Sequence, residues 1–470
     1  MTKRGPQGNP RAMAIPQHVF REYDVRGLTA TELTPGFAEA LGRGFGRYLL
    51  ERDPAAQAIV LGRDHRTSSP ELARGFARGV REQGIDVIAI GVVPTPLTYF
   101  AANTLPVDGL CMITGSHNPS EYNGFKVGIG KSTMAGPDVQ ALKKHVLAQP
   151  GPQKRRGREA EYDIITPYLH FVTQTLGKSA RKLKVVVDPG NGTGAIIAPR
   201  LLRALGHEII ELFCDLDGTF PNHHPDPTVA ENLKDLQEKV RAEGADLGVA
   251  FDGDSDRLGA VDEKGQILWG DQLLLLFARD VLEDHPGATI VSEVKCSQTL
   301  YDDIEKRGGR AIMWKAGHSL IKAKMKEEGA LLAGEMSGHL FFRHRYYGFD
   351  DGIYSAARLL ELVARKDVPF SQLLGDVPRT FSSPEIRKDF PDDKKFAAVE
   401  KAKEKLRKHG RTIEVDGVRV IVPGGWGLIR ASNTQPLLVL RYESESEAGL
   451  RELQKLVEGV VEEVRRELSA

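Results

Sequence analysis

Three stretches of the chain follow one pattern: "AIVLGRDHRTSSPELARGFARGVREQGIDVIAIG" (58–91), "LKVVVDPGNGTGAIIAPRLLRALGHEIIEL" (183–212) and "ATIVSEVKCSQTLYDDIEKRGGRAIMWKAG" (288–317). Each gives a short apolar run, a polar loop, an amphipathic helix, a glycine-bearing break and a second apolar run, the signature of a β-loop-α-β unit. Their starts lie roughly 105 to 125 residues apart, so the pattern predicts three similar α/β domains. In such sheets ligands gather at the carboxyl ends of strands, where the loops after Val60–Leu61, Val187–Asp188 and Ser292–Glu293 are expected to lie.

The tail breaks the pattern. From about residue 379 a helix pattern, "DDKKFAAVEKAKEKLRKHG", precedes the strand-like runs "RTIEVDG", "VRVIVPGG", "WGLIRASN" and "LLVLRYE" and a final amphipathic helix (446–468). That order fits an α+β domain with an antiparallel sheet. At 470 residues the chain is too long for one core. The expected division is 1–160, 161–265 and 266–376 for the α/β domains and 377–470 for the tail, with a hinge near 368–380.

Lys plus Arg and Asp plus Glu each number 64, so no net charge recruits nucleic acid or an anionic membrane. Cys111, Cys214 and Cys296 are far apart and odd in number, which fits a reduced, cytoplasmic setting and offers no zinc pattern. No run of about 18 apolar residues occurs, and the basic N-terminus lacks an apolar core, so a flexible leader of about 15 residues is expected rather than a signal peptide or membrane span.

Four stretches carry candidate chemistry. "TGSHNP" (114–119) ends an apolar run and leaves Ser116 and His117 at a strand end; read alone it is equally a turn, and it is no GxSxG elbow, which disfavours acyl transfer. "DGDSDR" (252–257) places Asp252, Asp254 and Asp256 at alternate positions. Three converging carboxylates repel unless a cation neutralises them, and the best match is a divalent cation, Mg²⁺, with open positions. Glu263 falls where a calcium-loop glutamate would, but Arg257 stands where that loop needs glycine. "PGNGTG" (189–194) imitates a dinucleotide fingerprint, with Gly190, Gly192 and Ala195 after a strand, although glycines for tight packing explain it equally. The fourth group is scattered: "FREYDVRG", "WKAGHSLIK", "GEMSGH" (334–339) and "RASNT" (430–434). Arg430, Ser432, Asn433 and Thr434 could cradle a phosphate dianion. Glu335, Ser337 and His339 alternate, so in an extended segment they would face one side and address sugar hydroxyls.

TGSHNP, DGDSDR, GEMSGH and RASNT stand in the order and at about the spacing of the α-D-phosphohexomutase family, which the chain resembles over nearly its whole length, most closely in the phosphomannomutase/phosphoglucomutase branch. The resemblance implies three related α/β domains with mixed sheets plus a C-terminal α+β domain around a central cleft. It implies that Ser116 is a phosphoserine and that Asp252, Asp254 and Asp256 hold one Mg²⁺ with an oxygen on Ser116. Glu335 and Ser337 would bind sugar hydroxyls, with Tyr23 and Lys295 also at the substrate, and the RASNT residues would hold the phosphate that is not transferred.

Phosphoryl transfer needs the moving group neutralised and aligned, a task for Mg²⁺, Arg257, Lys126 and Arg26, with His117 beside the phosphoserine. A neutral imidazole, His339 or His318, suits the acceptor's proton. The expected reaction interconverts hexose 1-phosphate and hexose 6-phosphate of mannose or glucose through a hexose 1,6-bisphosphate, which must turn end for end. Gly115 and Met336 favour this branch over phosphoglucosamine mutases, which usually carry Ala and Gln there. A silent sugar-phosphate binding protein is the rival of another class. A phosphosugar is the only partner expected, and the chain is expected to act as a monomer or weak homodimer. Ser255, where Gly is common, is expected to perturb the acidic loop only slightly.

Overall fold

The computed structural model describes residues 15–432 and 435–469. The expected leader up to residue 14 and Asn433 and Thr434 lie outside the described residues.

The three repeats share one module. In the first, β1 (Val25–Leu28), β2 (Ala58–Arg63), β3 (Asp86–Val92), β4 (Gly109–Ile113) and β5 (Tyr122–Ile129) are ordered β1-β5-β4-β2-β3, with β6 (Ser132–Thr133) beside β5 and β7 (Glu159–Glu161) beside β3. The second holds β8 (Lys184–Asp188), β9 (Glu208–Glu211), β10 (Leu247–Phe251), β11 (Leu258–Asp262) and β12 (Ile267–Leu268), ordered β12-β11-β10-β8-β9. In the third, β13 (Thr289–Glu293), β14 (Arg310–Trp314), β15 (Leu332–Gly334) and β16 (Leu340–Phe342) are ordered β14-β13-β15-β16. Each module runs strand, helix and parallel strand, then returns to pair a third strand in parallel on the other side of the first. A fourth strand doubles back antiparallel beside the third, which makes every sheet mixed.

Local sequence accounts for these elements. The helix Ser69–Glu82 opens with Pro70 in its first turn, buries Leu72, Phe76 and Val80 at four-residue spacing, and ends before Gly84, whose φ of +83° suits glycine. Its counterpart Gln298–Lys306 is capped by the Ser297 hydroxyl, which accepts from the Thr299 N–H. The first strands β2, β8 and β13 are buried along their middles, as expected of sheets covered on both faces.

The tail forms a sheet from β17 (Phe381–Ser382), β18 (Ile386–Asp389), β19 (Arg411–Ile413), β20 (Val418–Val422), β21 (Gly425–Ala431) and β22 (Leu437–Ser444), every described pairing antiparallel. The helices Lys395–Leu406 and Glu447–Ser469 pack on it. The short strands β17 and β18 are not evident in the sequence pattern.

One apolar core runs through all three repeats, joining Val60 and Leu110 to Val187 and Val249 and to Ile290 and Leu332. The tail has its own core around Val418, Ile429, Leu440 and Val457. A small cluster of Val294, Trp426 and Leu428 joins tail to third repeat. Part of the expected hinge is anchored: Phe370 is buried in the shared core, Glu263 accepts from the Ser371 N–H at 3.1 Å, and Arg279 pairs with Asp376 at 2.8 Å. The segment is thus held against the α/β modules as far as Asp376.

Candidate active site

Three of the candidate loops occupy one topological position. The Ser116 loop joins β4 to β5, the acidic loop joins β10 to β11, and the Glu335–His339 loop joins β15 to β16. Each lies at the carboxyl end of the third strand of its module, and for the Ser116 loop that strand is the apolar run "GLCMI" read from the sequence. The loops after the first strands serve as supports. Asp64, which follows β2, accepts from the Gly115 N–H at 3.2 Å, and Glu293, which ends β13, accepts from the Met336 N–H at 3.3 Å. Both carboxylates are buried. Sequence reading missed them because one acidic residue after a strand carries no signal of its own.

Ser116 sits at φ +50° and its hydroxyl donates to Asp252 Oδ2 at 3.0 Å, across 136 residues of chain. The ring of His117 places Nδ1 3.1 Å from Ser116 Oγ, and burial with Arg257 and Arg26 nearby holds His117 neutral, well below the ordinary imidazole range. Arg26 donates to the Asn118 side chain at 2.9 Å, which brings it onto the serine loop.

Asp252, Asp254 and Asp256 are fully buried, with ligand oxygens within 4.8 Å of one another. Lys126 bridges Asp254 at 2.8 Å and Asp256 at 2.5 Å. Even with Arg257 3.9 Å from Asp252 and His339 on Asp256, the cluster is not fully satisfied, and two signs of this are visible. Burial and the carboxylates of Asp256 and Asp254 push Asp252 well above its usual range. Asp254 Oδ1 is buried without a hydrogen-bond partner. An orphaned carboxylate oxygen beside two more, an all-oxygen donor set, fits a hard divalent cation. A calcium-loop reading is ruled out by Glu263, which leaves the cluster to bind Ser371. Ser255 takes φ +61°, the left-handed region that favours glycine, at a cost of about 1–2 kcal/mol.

Glu335, Ser337 and His339 do come together, but through a turn rather than an extended segment: the Gly338 N–H bonds back to Glu335 O at 3.0 Å, with Gly338 at φ +87°. His339 Nδ1 lies 3.2 Å from Ser337 Oγ and 3.3 Å from Glu335 Oε2, while Nε2 donates to Asp256 Oδ1 at 3.0 Å. Burial disfavours the imidazolium, yet Asp256 and Glu335 outweigh it and raise His339 to about 9. His318, stacked 5.5 Å away, is instead lowered by burial and stays neutral at pH 7. Arg257 lies 3.4 Å from His339 and 3.7 Å from Asp226.

Tyr23 reaches from the first module to the loop before His318, its hydroxyl donating to Ala316 O at 3.3 Å. From the tail, Asp416 accepts from the Ala316 N–H at 3.1 Å and from Arg430 Nε at 3.0 Å, which aims Arg430 at the same region. Ser432 lies beside it at the end of β21 and accepts from the Gln435 N–H at 3.1 Å. Lys295 is tied to Glu385 at 3.1 Å and to Glu293 at 3.6 Å, where third module and tail meet.

The "PGNGTG" turn packs against the acidic loop. The Thr193 N–H and hydroxyl donate to Gly253 O at 3.0 and 3.1 Å, and a Cβ on Gly192 would lie 2.8 Å from that carbonyl. The turn is filled by the acidic loop it supports.

Family models cover each part of this architecture. The descriptions are phosphoglucomutase/phosphomannomutase alpha/beta/alpha domain I at residues 17–149, domain II at 166–265 and domain III at 269–381, and the C-terminal domain at 385–460. The chain belongs to the phosphoglucomutase/phosphomannomutase family. It is therefore an isomerase-class enzyme, of a family that moves phosphate within a sugar. It is 47% identical over 444 residues to the phosphomannomutase/phosphoglucomutase of Pseudomonas aeruginosa, covering 94% of this chain and 95% of that protein. A phosphoglucomutase of Neisseria meningitidis is 43% identical, covering 95% of this chain and 97% of its own length. A solved structure of a family member from Burkholderia thailandensis superposes with a TM-score of 0.89 at 43% identity, covering 96% of this chain and 98% of that one.

Proposed function

We propose that the protein interconverts hexose 1-phosphates and hexose 6-phosphates, with mannose and glucose both accepted, by passing a phosphoryl group through Ser116. The observation that carries this reading is the Ser116 hydroxyl donating to Asp252 inside a cluster of buried carboxylates with an unmatched oxygen on Asp254. A serine held there is a poor nucleophile for acyl chemistry but well set to bear a phosphate beside a cation. Asp252, Asp254 and Asp256 would hold Mg²⁺, which when bound supplies positive charge to the oxygens of the moving phosphoryl group.

The cycle starts from phosphorylated Ser116. The Oγ–P bond breaks as a bond forms from phosphorus to the 6-oxygen of a hexose 1-phosphate; the 6-hydroxyl proton passes to an imidazole, and Oγ takes up a proton to become the hydroxyl that faces Asp252. After the 1,6-bisphosphate turns, its C1–oxygen–phosphorus link breaks at phosphorus, Oγ gives up its proton as it takes the group back, and the imidazole proton passes to the C1 oxygen. His318, neutral at pH 7, can take the 6-hydroxyl proton, whereas His339, raised to about 9, already carries one. His117 lies against the serine oxygen, and Arg26 on the serine loop with Arg257 and Lys126 beside the carboxylates would supply positive charge to the moving group. Glu335 and Ser337 would grip the 3- and 4-hydroxyls, which mannose and glucose share, and this supports dual specificity. Arg430 and Ser432, with Asn433 and Thr434, would hold the phosphate at rest, while Tyr23 and Lys295 close the substrate region.

We assign residues 1–160, 161–265, 266–376 and 377–470 to the four domains, the last carrying the phosphate cradle. All the proposed residues come from one chain, so the reaction calls for no second copy. Three unpaired cysteines support a cytoplasmic setting. No helix among the described residues is long and apolar enough to cross a membrane.

The test is to incubate purified protein with glucose 1-phosphate or mannose 1-phosphate, Mg²⁺ and a trace of glucose 1,6-bisphosphate, and to follow 6-phosphate formation with the intact mass of the protein. Conversion with a phosphate-sized mass on the chain is expected. No conversion of either sugar, with no added mass, would overturn the proposal.

A further inference from the structure

Arg66 stands outside the carboxylate cluster and in none of the motifs. It follows β2 by three residues, and its side chain is 1% exposed. We infer that Arg66 is a positioning residue for Ser116, its guanidinium fixing the loop from which the serine projects. The inference rests on the phosphoryl-transfer reading above.

Four main-chain carbonyls of the segment 116–122 converge on this one side chain. Nη2 takes Ser116 O at 2.8 Å and Asn118 O at 2.6 Å, and Nη1 takes Pro119 O at 2.6 Å and Tyr122 O at 3.1 Å. Carbonyl oxygens gathered this closely repel one another, so the turn needs a shared cation whose donors diverge in a plane. Guanidinium meets that need and a lysine ammonium, with donors radiating from one atom, does not. Asp64 secures the arrangement from behind: Oδ2 lies 3.2 Å from Arg66 Nε and accepts the Gly115 N–H, while Oδ1 accepts the Arg66 N–H at 3.0 Å. Across the module boundary the ring of Phe220 covers the guanidinium at 5.0 Å.

The consequence for chemistry lies in Ser116 itself. With its carbonyl turned onto Arg66, the residue is held at φ +50°, and this backbone aims Oγ at Asp252. Arg66 acts through the loop, since it touches neither the carboxylates nor the serine oxygen in the contacts described.

Gly115 shows how closely the two are fitted. A Cβ there would lie 2.5 Å from Arg66 Cζ and 2.6 Å from Nε. The guanidinium fills the space beside Gly115, so a methyl group there would have to displace Arg66 from its place on the carbonyls.

This coupling gives the experiment. In the glucose 1-phosphate assay with the full-length chain, kcat and KM are measured for wild type, Arg66→Met, Arg66→Lys, Gly115→Ala and Arg66→Met with Gly115→Ala. Arg66→Met is expected to lower kcat on the order of 10²-fold, with KM changed less than about threefold, because misplacing the reacting oxygen by an ångström has that effect while sugar and distal-phosphate contacts stay in place. Arg66→Lys should recover little of it. Gly115→Ala should lower kcat in the wild-type background yet change it less than about twofold once Arg66 is gone. A kcat for Arg66→Met within about threefold of wild type, or full additivity of the two substitutions, would overturn the inference. If Arg66→Met does not fold, Arg66→Lys serves as the second background for the same cycle. An inactive wild-type protein would instead sink the mutase reading, so the two failures are distinct.

Discussion

The three repeats and the tail approach the same centre in different ways. Around Ser116 the repeats are fused: one apolar core runs through all three, and the polar contacts Ser116 to Asp252, Lys126 to Asp254 and His339 to Asp256 each cross from one module to another. The tail has a core of its own and joins the third module through Trp426, Leu428 and Val294 and through polar contacts, among them Lys295 to Glu385, Arg441 to Asp271 and a buried cation on β20. That cation, Arg419, donates to the carbonyls of Val294 and Cys296 at 2.8 Å each and stacks on Trp426 at 3.6 Å. The lesson is a division of labour. Transfer of a phosphoryl group tolerates little error in distance, so its residues belong to a fused body. In the proposed cycle the bisphosphate would be released and regrasped, which suits a cradle on a separately cored arm.

Five changes would break or sharpen this contrast. Ser116→Ala, at the centre of the fused body, should lower kcat by at least about 10⁴-fold in the coupled 6-phosphate assay while the melting temperature stays close to wild type. Asp254→Asn should lower kcat by roughly 10²- to 10³-fold, and raising Mg²⁺ should not restore it, since an amide replaces the buried anionic oxygen. A wild-type rate in either variant contradicts the assignment of the centre.

Arg430→Ala, on the arm, should act differently. Losing a charged hydrogen bond of about 1.5–3 kcal/mol should raise KM by roughly 10- to 100-fold and leave kcat within a few fold. Equal losses in kcat would mean that the arm takes part in the chemical step. Arg419→Ala should destabilise the seating of the arm by about 2–3 kcal/mol, because two buried carbonyls lose their donor; urea unfolding followed by Trp426 emission reads this directly.

The smallest effect is one of pH. Burial holds His207 and His344 down to about 4, and both belong to the fused body. Their folded values lie below the unfolded value of about 6.5, so the unfolded chain binds more protons between these limits. Stability is whole above pH 6.5 and falls as the pH drops toward 4, by about 1–2 kcal/mol per histidine after allowance for partial solvent access. His207→Gln should flatten that slope in urea midpoints taken at pH 7 and pH 5, and an unchanged slope would refute it.

Much of this was legible in advance. The β-loop-α-β units read from residues 58, 183 and 288 form the parallel pairs of the three sheets. Alternating Asp252, Asp254 and Asp256 pointed to a cation site, and the three carboxylates do form a buried cluster compatible with one. Other features were hidden for physical reasons. Glu335, Ser337 and His339 converge through the left-handed turn at Gly338, which alternation alone does not reveal. His339 looked like an ordinary neutral imidazole, because nothing near it in sequence betrays Asp256, 83 residues away. Asp64, Arg66 and Glu293 act by holding main-chain groups of distant loops, and a main-chain partner leaves no residue type to recognise.

By itself, then, the sequence determined the repeated module, the odd tail and the chemical identity of each loop. Those depend on hydrophobic periodicity and on side-chain types a few residues apart, both written locally. Only the tertiary structure decided that the three loops share the carboxyl end of the third strand, that Lys126 sits among the carboxylates, and that Arg66 closes the serine turn. Such facts depend on burial and on charges brought together from far along the chain, where desolvation strengthens each contact and sets which proton every group keeps.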